Sequence, residues 1–329
     1  MTRGQSTEDT TVEVYAVPLR ARFRGITVRE GVLLRGRAGW GEFSPFAEYG
    51  HAESRAWLRA AREAAEEGWP EPRRDRVPVN VTVPAVDPER AYAITAGSGC
   101  GTAKVKVADP AQTQADDLAR LEAVRAALGS DGRVRADVNG AWDVADAVRL
   151  LPTYDTAAGG LEYVEQPCAS VEDLAAVRRL TQVPVAADES IRRAEDPYRV
   201  AALEAADVAV LKVQPLGGVR AALEVAERIG LPVVVSSALE TSVGIAAGVA
   251  LAAALPDLPY ACGLATVRLL ERDVVAEPLL PVDGVLPVRR PEVDAGALGG
   301  ARADDATAVR WRARLAAVQA TPAGAATPA

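Results

Sequence analysis

The chain has 329 residues, 49% of them hydrophobic and 25% charged, a balance typical of soluble globular proteins. That length exceeds one ordinary small domain and suits a barrel of roughly 250 residues with an added unit. The formal charge of −8, with no Lys/Arg stripe interleaved with aromatics, excludes a phosphate-backbone binder, so the expected partner is a small molecule, with no nucleic acid, no membrane and no obligate protein partner.

The opening stretch MTRGQSTEDTTVEVY has no apolar core of the kind a secretory signal needs, and a cytoplasmic location is expected. From Thr11 to Glu42 the pattern is strand-like: VEVYAV, then ITVREGVLLRG, then a turn into GWGEFSPF. Glu53 to Glu67 repeats at helical period and stops at Gly68 and Pro70. Residues 1–76 therefore read as an α+β unit ahead of the main domain. This unit holds the only histidine, His51; Ser-His-Asp, Cys-His and multi-histidine metal chemistry are thereby nearly excluded.

From Val77 short apolar strands alternate with amphipathic helices. The strands expected are VPVNVTV from Val77, AKVKV from Ala103, RVRADV from Arg133, LEYVEQ from Leu161, VPVAAD from Val183, ADVAVLKV from Ala206, LPVVVSS from Leu231 and YACGLA from Tyr260. Helical runs include Thr113 to Leu128, Asp143 to Leu151, Val171 to Leu180, Tyr198 to Ala205, Val219 to Ile229 and Ser242 to Leu255. Eight such repeats with short loops predict an α/β fold, a (β/α)8 TIM-type barrel over 77–272. An open doubly wound sheet is the rival, but no Gly-rich phosphate loop follows any strand. The uncharged run Thr241 to Pro256 is shorter than the ~20 apolar residues of a membrane span and reads as a buried helix. Cys100, Cys168 and Cys262 are odd in number and lack zinc-ligand spacing, as expected of reduced thiols. After Asp273 the repeat stops, and 273–318 reads as chain returning to complete the capping domain. The end, 319–329, is low in complexity and expected to be disordered.

The polar residues fall at strand ends. Side chains alternate along a strand, so Lys104 and Lys106 share one face, and in a barrel the C-terminal strand ends point into the mouth where chemistry occurs. Asp137, Glu165 and Asp188 each close an apolar strand, 28 and 23 residues apart, one βα unit per step. Three carboxylates on one rim repel unless a cation joins them, and hard oxygen ligands in that number suit Mg²⁺, with Mn²⁺ as a substitute. Singly, each could instead be a helix N-cap. Lys212, 24 residues after Asp188, follows Val208 and Val210 on the inward parity and should reach the rim opposite Lys106. Ser236, Ser237 and Gly263 close the last two strands; they could hold a substrate carboxylate or simply form turns.

With these residues in place, the chain resembles the enolase superfamily over almost its whole length: a capping domain, a modified barrel and a return segment. The K-x-K on the second barrel strand, Asp/Glu/Asp on the third to fifth and Lys on the sixth match its muconate-lactonizing subgroup. Within it, FRGITVREGVLLRG, GWGEFSPFAEYG, VPVNVTVPAV, ADVNGAW, YVEQPC, ADESI, KVQPLGGV and SSALETSVG are similar to segments of the short actinobacterial-type o-succinylbenzoate synthases. The resemblance implies dehydration of 2-succinyl-6-hydroxy-2,4-cyclohexadiene-1-carboxylate to 2-succinylbenzoate in menaquinone synthesis.

It further implies Lys106 as the acid/base catalyst, Lys104 as its partner, Lys212 as the opposing lysine, and Asp137, Glu165 and Asp188 as Mg²⁺ ligands. Arg135 matches an arginine found in many members, and Asn139-Gly140 stands where some have Asn-Arg. Arg135, Asn139, Ser236, Ser237, Gly263 and Phe23 are then the expected substrate contacts. Loops around Arg22 to Gly25 and Phe46 to His51 are expected over the mouth, with Phe23 and Phe46 covering an apolar ring. An N-acylamino acid racemase, another lysine-based epimerase or a cycloisomerase would use the same lysine pair. Dipeptide epimerases carry a D-x-D pair on the eighth strand, where this chain has Gly263-Leu264-Ala265.

Overall fold

A computed structural model describes residues 11–193 and 197–322. The N-terminal unit is a three-stranded antiparallel sheet, β1 (Thr11–Phe23), β2 (Ile26–Gly36) and β3 (Gly39–Phe43), followed by α1 (His51–Arg62). The first hairpin turns in two residues: Phe23 pairs with Ile26, and Arg24 and Gly25 both have positive φ, 49° and 79°. That is the backbone sense whose twist matches the flanking strands. Helix α1 is extended by one wider turn and stops at Gly68, whose φ is 74°.

The expected first barrel strand divides in two. β4 (Arg76–Pro78) pairs antiparallel with the later return strand, whereas β5 (Val81–Val83) joins the barrel. Pro78 has no N–H to donate, and its carbonyl accepts from Cys262 N at 2.7 Å. Then follow α2 (Pro88–Ala96), β6 (Thr102–Lys106), α3 (Gln114–Leu128), β7 (Arg133–Asp137), α4 (Val144–Ala157), β8 (Leu161–Glu165) and α5 (Val171–Leu180). The chain continues through β9 (Val185–Ala187), α6 (Glu189–Arg192), α7 (Arg199–Ala202), β10 (Val208–Leu211), α8 (Val213–Leu216), α9 (Val219–Ile229), β11 (Val233–Val235) and α10 (Ser242–Ala254). Helix starts carry the side-chain caps their sequences advertise: Thr113, Asp143 and Ser170 each accept an N–H three residues on. Helix α10 is buried along its whole length, which is why its sequence is apolar all round.

Strands β5 to β11 form one seven-stranded parallel sheet in chain order. The eighth expected strand, from Tyr260, is reduced to two parallel bridges, Val79 to Cys262 and Ser236 to Gly263. These join the sheet's two edges and close the barrel, so the open-sheet rival is set aside. The eighth repeat also differs in having a short 3-10 turn, Ala265–Leu269, in place of a helix. The return comprises β12 (Val285–Pro287), α11 (Ala295–Ala301) and α12 (Asp305–Ala320). Helix α12 carries two residues into the segment expected as a tail; 323–329 lie outside the described residues.

Alternation along the strands sorts the core into layers. Val208 and Val210 pack with Tyr163, Ala186 and Val234 inside the barrel, whereas Ala209 and Leu211 belong to the shell between strands and helices. The inward set carried one step further on β10 reaches Lys212, and on β8 Glu165. Among the described residues no helix is long and apolar enough to cross a membrane.

Candidate active site

The strand registers bring the predicted residues to one rim. Lys106 lies opposite Asp137 across β6 and β7, Asp137 opposite Glu165 across β7 and β8, and Glu165 opposite Ala186, two residues before Asp188. The three carboxylates are buried and held by cations. Lys106 Nζ donates to Asp137 Oδ2 at 2.5 Å and to Asn139 Oδ1 at 2.7 Å. Lys104 Nζ lies 2.7 Å from Glu165 Oε1 and 3.0 Å from Asp137 Oδ2. Lys212 Nζ donates to Asp188 Oδ2 at 2.6 Å, and Arg192 Nε to Asp188 Oδ1 at 2.9 Å.

These contacts set the protonation preferences. Burial raises the Asp137 carboxyl, but Lys104 and Lys106 outweigh it and hold it well below the usual carboxylate range. Asp188 is likewise held low, Lys212 and Arg192 prevailing over burial. Glu165 goes the other way: burial, reinforced by the Asp137 charge, pushes it up to about 7 despite Lys104. Burial would lower the Lys104 ammonium, yet Asp137 and Glu165 raise it well above the ordinary lysine value. Burial lowers Lys212, and Arg192 and Lys104 add to that against the pull of Asp188.

Lys104, Lys106 and Lys212 line a narrow cavity together with Asn139, Ser236, Ser237, Gly263 and Phe23. The two outer lysines come from the second and sixth barrel strands, four strands apart in an eight-fold ring, so they face each other across it. Asn139 has a positive φ of 52°, and its Nδ2 donates to Glu189 Oε1 at 3.3 Å. Ser237 Oγ and Thr266 Oγ1 are 2.7 Å apart. A Cβ on Gly263 would stand 2.6 Å from Ser236 Oγ, so glycine lets the closing segment approach β11. The Phe23 ring centroid lies 5.6 Å from Lys106 Nζ.

Two expectations are corrected. Arg135 does not line this cavity: fully buried in the barrel, it pairs with Glu162 at 2.5 Å and donates to Asn80 Oδ1 at 3.0 Å and Ala261 O at 2.7 Å. It shares the inward face with Asp137 and the level of Lys104, but its guanidinium is taken up by Glu162, Asn80 and Ala261, whereas the Lys104 ammonium reaches up to Asp137 and Glu165. Phe46 is also not over the opening. It is buried in the cap, edge-on to Trp57, with the Arg24 and Arg29 guanidiniums each 4.4 Å from its ring centroid.

Arg24, from the loop expected over the mouth, also lines the cavity, as do Thr82, Ala238, Leu239 and Thr266, which the sequence did not single out. Thr82 was reachable, since it is on the inward parity of its strand and pairs with Lys104. Arg192, one helical turn past Asp188, was signalled by the i, i+4 spacing. Ala238 and Leu239 gave no such signal, for their place depends on how the cap docks.

Whether the rim suits a metal turns on its donors. Asp137, Glu165 and Asp188 offer carboxylate oxygens alone, the set preferred by hard divalent cations. Among the described residues they do not already converge on a common point; the Lys104 ammonium stands between Asp137 and Glu165. The donor chemistry fits a hard divalent cation.

Comparison with known proteins bears on the whole chain. Residues 14–65 match the family model "Enolase N-terminal domain-like" and 88–294 "Enolase C-terminal domain-like". An o-succinylbenzoate synthase of Thermobifida fusca is 68% identical over 94% of this chain and 96% of its own. One of Mycolicibacterium smegmatis is 52% identical over 97% of this chain and 99% of its own. Among solved structures, muconate lactonizing enzyme from Pseudomonas fluorescens complexed with muconolactone superposes with a TM-score of 0.78 at 24% identity, covering 90% of this chain and 99% of that one. That likeness carries the fold alone.

Proposed function

We propose, from the premise that this chain belongs to the enolase superfamily and within it to the o-succinylbenzoate synthases, that it is a Mg²⁺-dependent, cytoplasmic hydro-lyase. It dehydrates 2-succinyl-6-hydroxy-2,4-cyclohexadiene-1-carboxylate to 2-succinylbenzoate, a step of menaquinone biosynthesis. Members of this superfamily use a divalent metal, usually Mg²⁺. The observation that carries the reading is the pair of lysines, Lys106 and Lys212, facing each other across one cavity beside three buried carboxylates.

Asp137, Glu165 and Asp188 would hold the ion, which supplies positive charge to the substrate carboxylate and makes the neighbouring proton acidic enough to leave. Lys106 Nζ, at the outer end of β6, removes that proton and then delivers it to the hydroxyl leaving from the same face, so one group serves both halves of the elimination. Asn139 Oδ1 orients the Lys106 ammonium at 2.7 Å. Lys212, fixed by Asp188 at 2.6 Å, stabilises the developing negative charge from the opposite face. Lys104 steadies Glu165 and Asp137. Phe23 excludes water from the mouth, and the hydroxyls of Ser236 and Ser237 are placed to receive polar groups of the substrate. We take 1–76 with 273–318 as the capping domain and 77–272 as the catalytic barrel.

Two lysines on opposite faces would also serve an N-acylamino acid racemase, and one assay separates the readings. On adding the cyclohexadiene substrate, a Mg²⁺-dependent absorbance change abolished by EDTA is expected. Its absence, with α-proton exchange into N-acylamino acids in D₂O, would replace dehydration by racemization.

A further inference from the structure

We propose that Arg29, a cap residue outside the cavity, is a positioning residue that sets the shape of the substrate-binding wall formed by Ala238 and Leu239. The wall's backbone is unusual. Leu239 has a φ of 62°, the left-handed region that a bulky side chain leaves unless the surroundings enforce it. What enforces it comes from another part of the molecule. Arg29, 2% exposed on β2, donates through Nε to Leu239 O at 2.7 Å and through Nη2 to Ala238 O at 3.1 Å. The same nitrogen donates to Ser44 Oγ at 2.9 Å, tying the fork to β3's end.

Both carbonyls belong to residues that line the cavity, directly after Ser236 and Ser237. On the far side of the turn a second cap residue completes the fastening. Glu42 Oε2 accepts from the N–H groups of Thr241 and Gly244, each at 3.1 Å, at the start of α10. The 236–244 segment is thus gripped by the cap through Arg29 and Glu42, while Ser242 donates to Asp273 and Ser237 ties it to the barrel at Gly263 O and Thr266 Oγ1. Ser44 also receives Gln214 Nε2 at 3.2 Å, two residues beyond Lys212, so the same corner of the cap registers the sixth strand's end.

A planar fork with donors in fixed directions can hold two successive carbonyls; a lysine ammonium cannot do so in the same geometry. Arg29 touches neither the lysines nor the carboxylates of the rim, so losing it should loosen the wall and leave the proton-transfer groups in place. The kinetic part of this inference rests on the dehydratase reading; the structural part does not.

The test uses Arg29→Lys and Arg29→Met in the full chain. Hydrogen exchange of the peptide covering 236–244 is measured against wild type, along with kcat and KM for dehydration with Mg²⁺. The expected result is at least tenfold faster exchange confined to that peptide, and KM raised at least tenfold with kcat within threefold. Arg29→Lys keeps the charge and serves if Arg29→Met fails to fold. Unchanged exchange at 236–244 in Arg29→Lys overturns the proposal, as does a fall in kcat at constant KM. Lack of turnover by the wild-type enzyme overturns the dehydratase reading instead, and the exchange result still decides the positioning role.

Discussion

Lys104 and Lys106 are two residues apart on one strand yet differ in what surrounds them. Lys104 is buried between Glu165 and Asp137, while Lys106 pairs with one carboxylate, Asp137, at 2.5 Å and reaches Asn139 Oδ1 at the mouth. A group with its ammonium locked between two carboxylates is a poor proton shuttle; one nearer the rim, held by a single carboxylate and a neutral amide, is better placed. Lys106→Ala is therefore expected to lose at least the roughly 10²- to 10⁴-fold contribution of a general base, measured as kcat in the dehydration assay. Lys212→Arg keeps a positive charge on the opposite face but replaces a compact ammonium by a wider fork. It should retain more activity than Lys106→Ala; equal loss in both would show that the two lysines are not divided in role. Replacing Asp137 by Asn should abolish turnover at saturating Mg²⁺ while leaving the circular dichroism spectrum unchanged, since Lys104 and Glu165 still pair with each other. Residual activity above a tenth of wild type would remove Asp137 from the ligand set.

At the scale of single elements, periodicity carried most of what could be read in advance. The three carboxylates were legible because each closes a strand whose inward parity is fixed by apolar neighbours, and their spacing of one βα unit is a property of the chain alone. The eighth strand was less so: YACGLA has strand composition, but Gly263 at its centre and Pro259 before it leave only bridging contacts. Arg135 lies elsewhere than expected because parity names a face of the barrel and not which partners a long side chain finds there. The 238–241 turn was illegible for a different reason, as its conformation is imposed by residues some 200 positions earlier. That turn contains Glu240, whose carboxyl burial and the nearby Glu42 push up to about 7.

Because this carboxyl is raised in the folded state, the folded chain binds more protons than the unfolded one between about pH 4.5 and 7. Its contribution to stability is thus fully present below the unfolded value and is lost as pH rises through 7, by at most about 3–4 kcal/mol at roughly 1.4 kcal/mol per unit. Glu240→Gln removes that dependence while keeping an acceptor for Ala238 N, which now donates to Oε2 at 2.7 Å. The Tm of the variant should fall less than that of wild type between pH 5 and 8. Parallel Tm curves would show that Glu240 is ionised in the folded protein throughout.

For the whole molecule, what matters is that the N-terminal unit builds no core by itself. Its hydrophobic cluster combines Val14 to Trp57 from the N-terminal unit, Ala238, Leu239 and Val243 from the barrel, and Leu298 to Val318 from the return. Helix α12 supplies the clamp. Trp311 packs edge-on against Phe43 with centroids 6.2 Å apart, and its Nε1 donates to Glu30 Oε2 at 2.8 Å. Arg314 Nη2 donates to the carbonyls of Phe46 and Tyr49, each at 2.8 Å, fixing the stretch beside the mouth from behind. Three distant stretches sharing one cluster should unfold together, because removing any of them exposes the apolar faces of the other two. Trp311→Ala deletes the largest buried side chain of α12, and truncations of that kind cost about 3–5 kcal/mol. In a urea titration, tryptophan fluorescence and dehydratase activity should be lost in one coincident transition for wild type, and both midpoints should move down together in Trp311→Ala. If activity disappeared at lower urea than the fluorescence change, the cap would be melting from an intact barrel, and the shared cluster would not be the source of cooperativity.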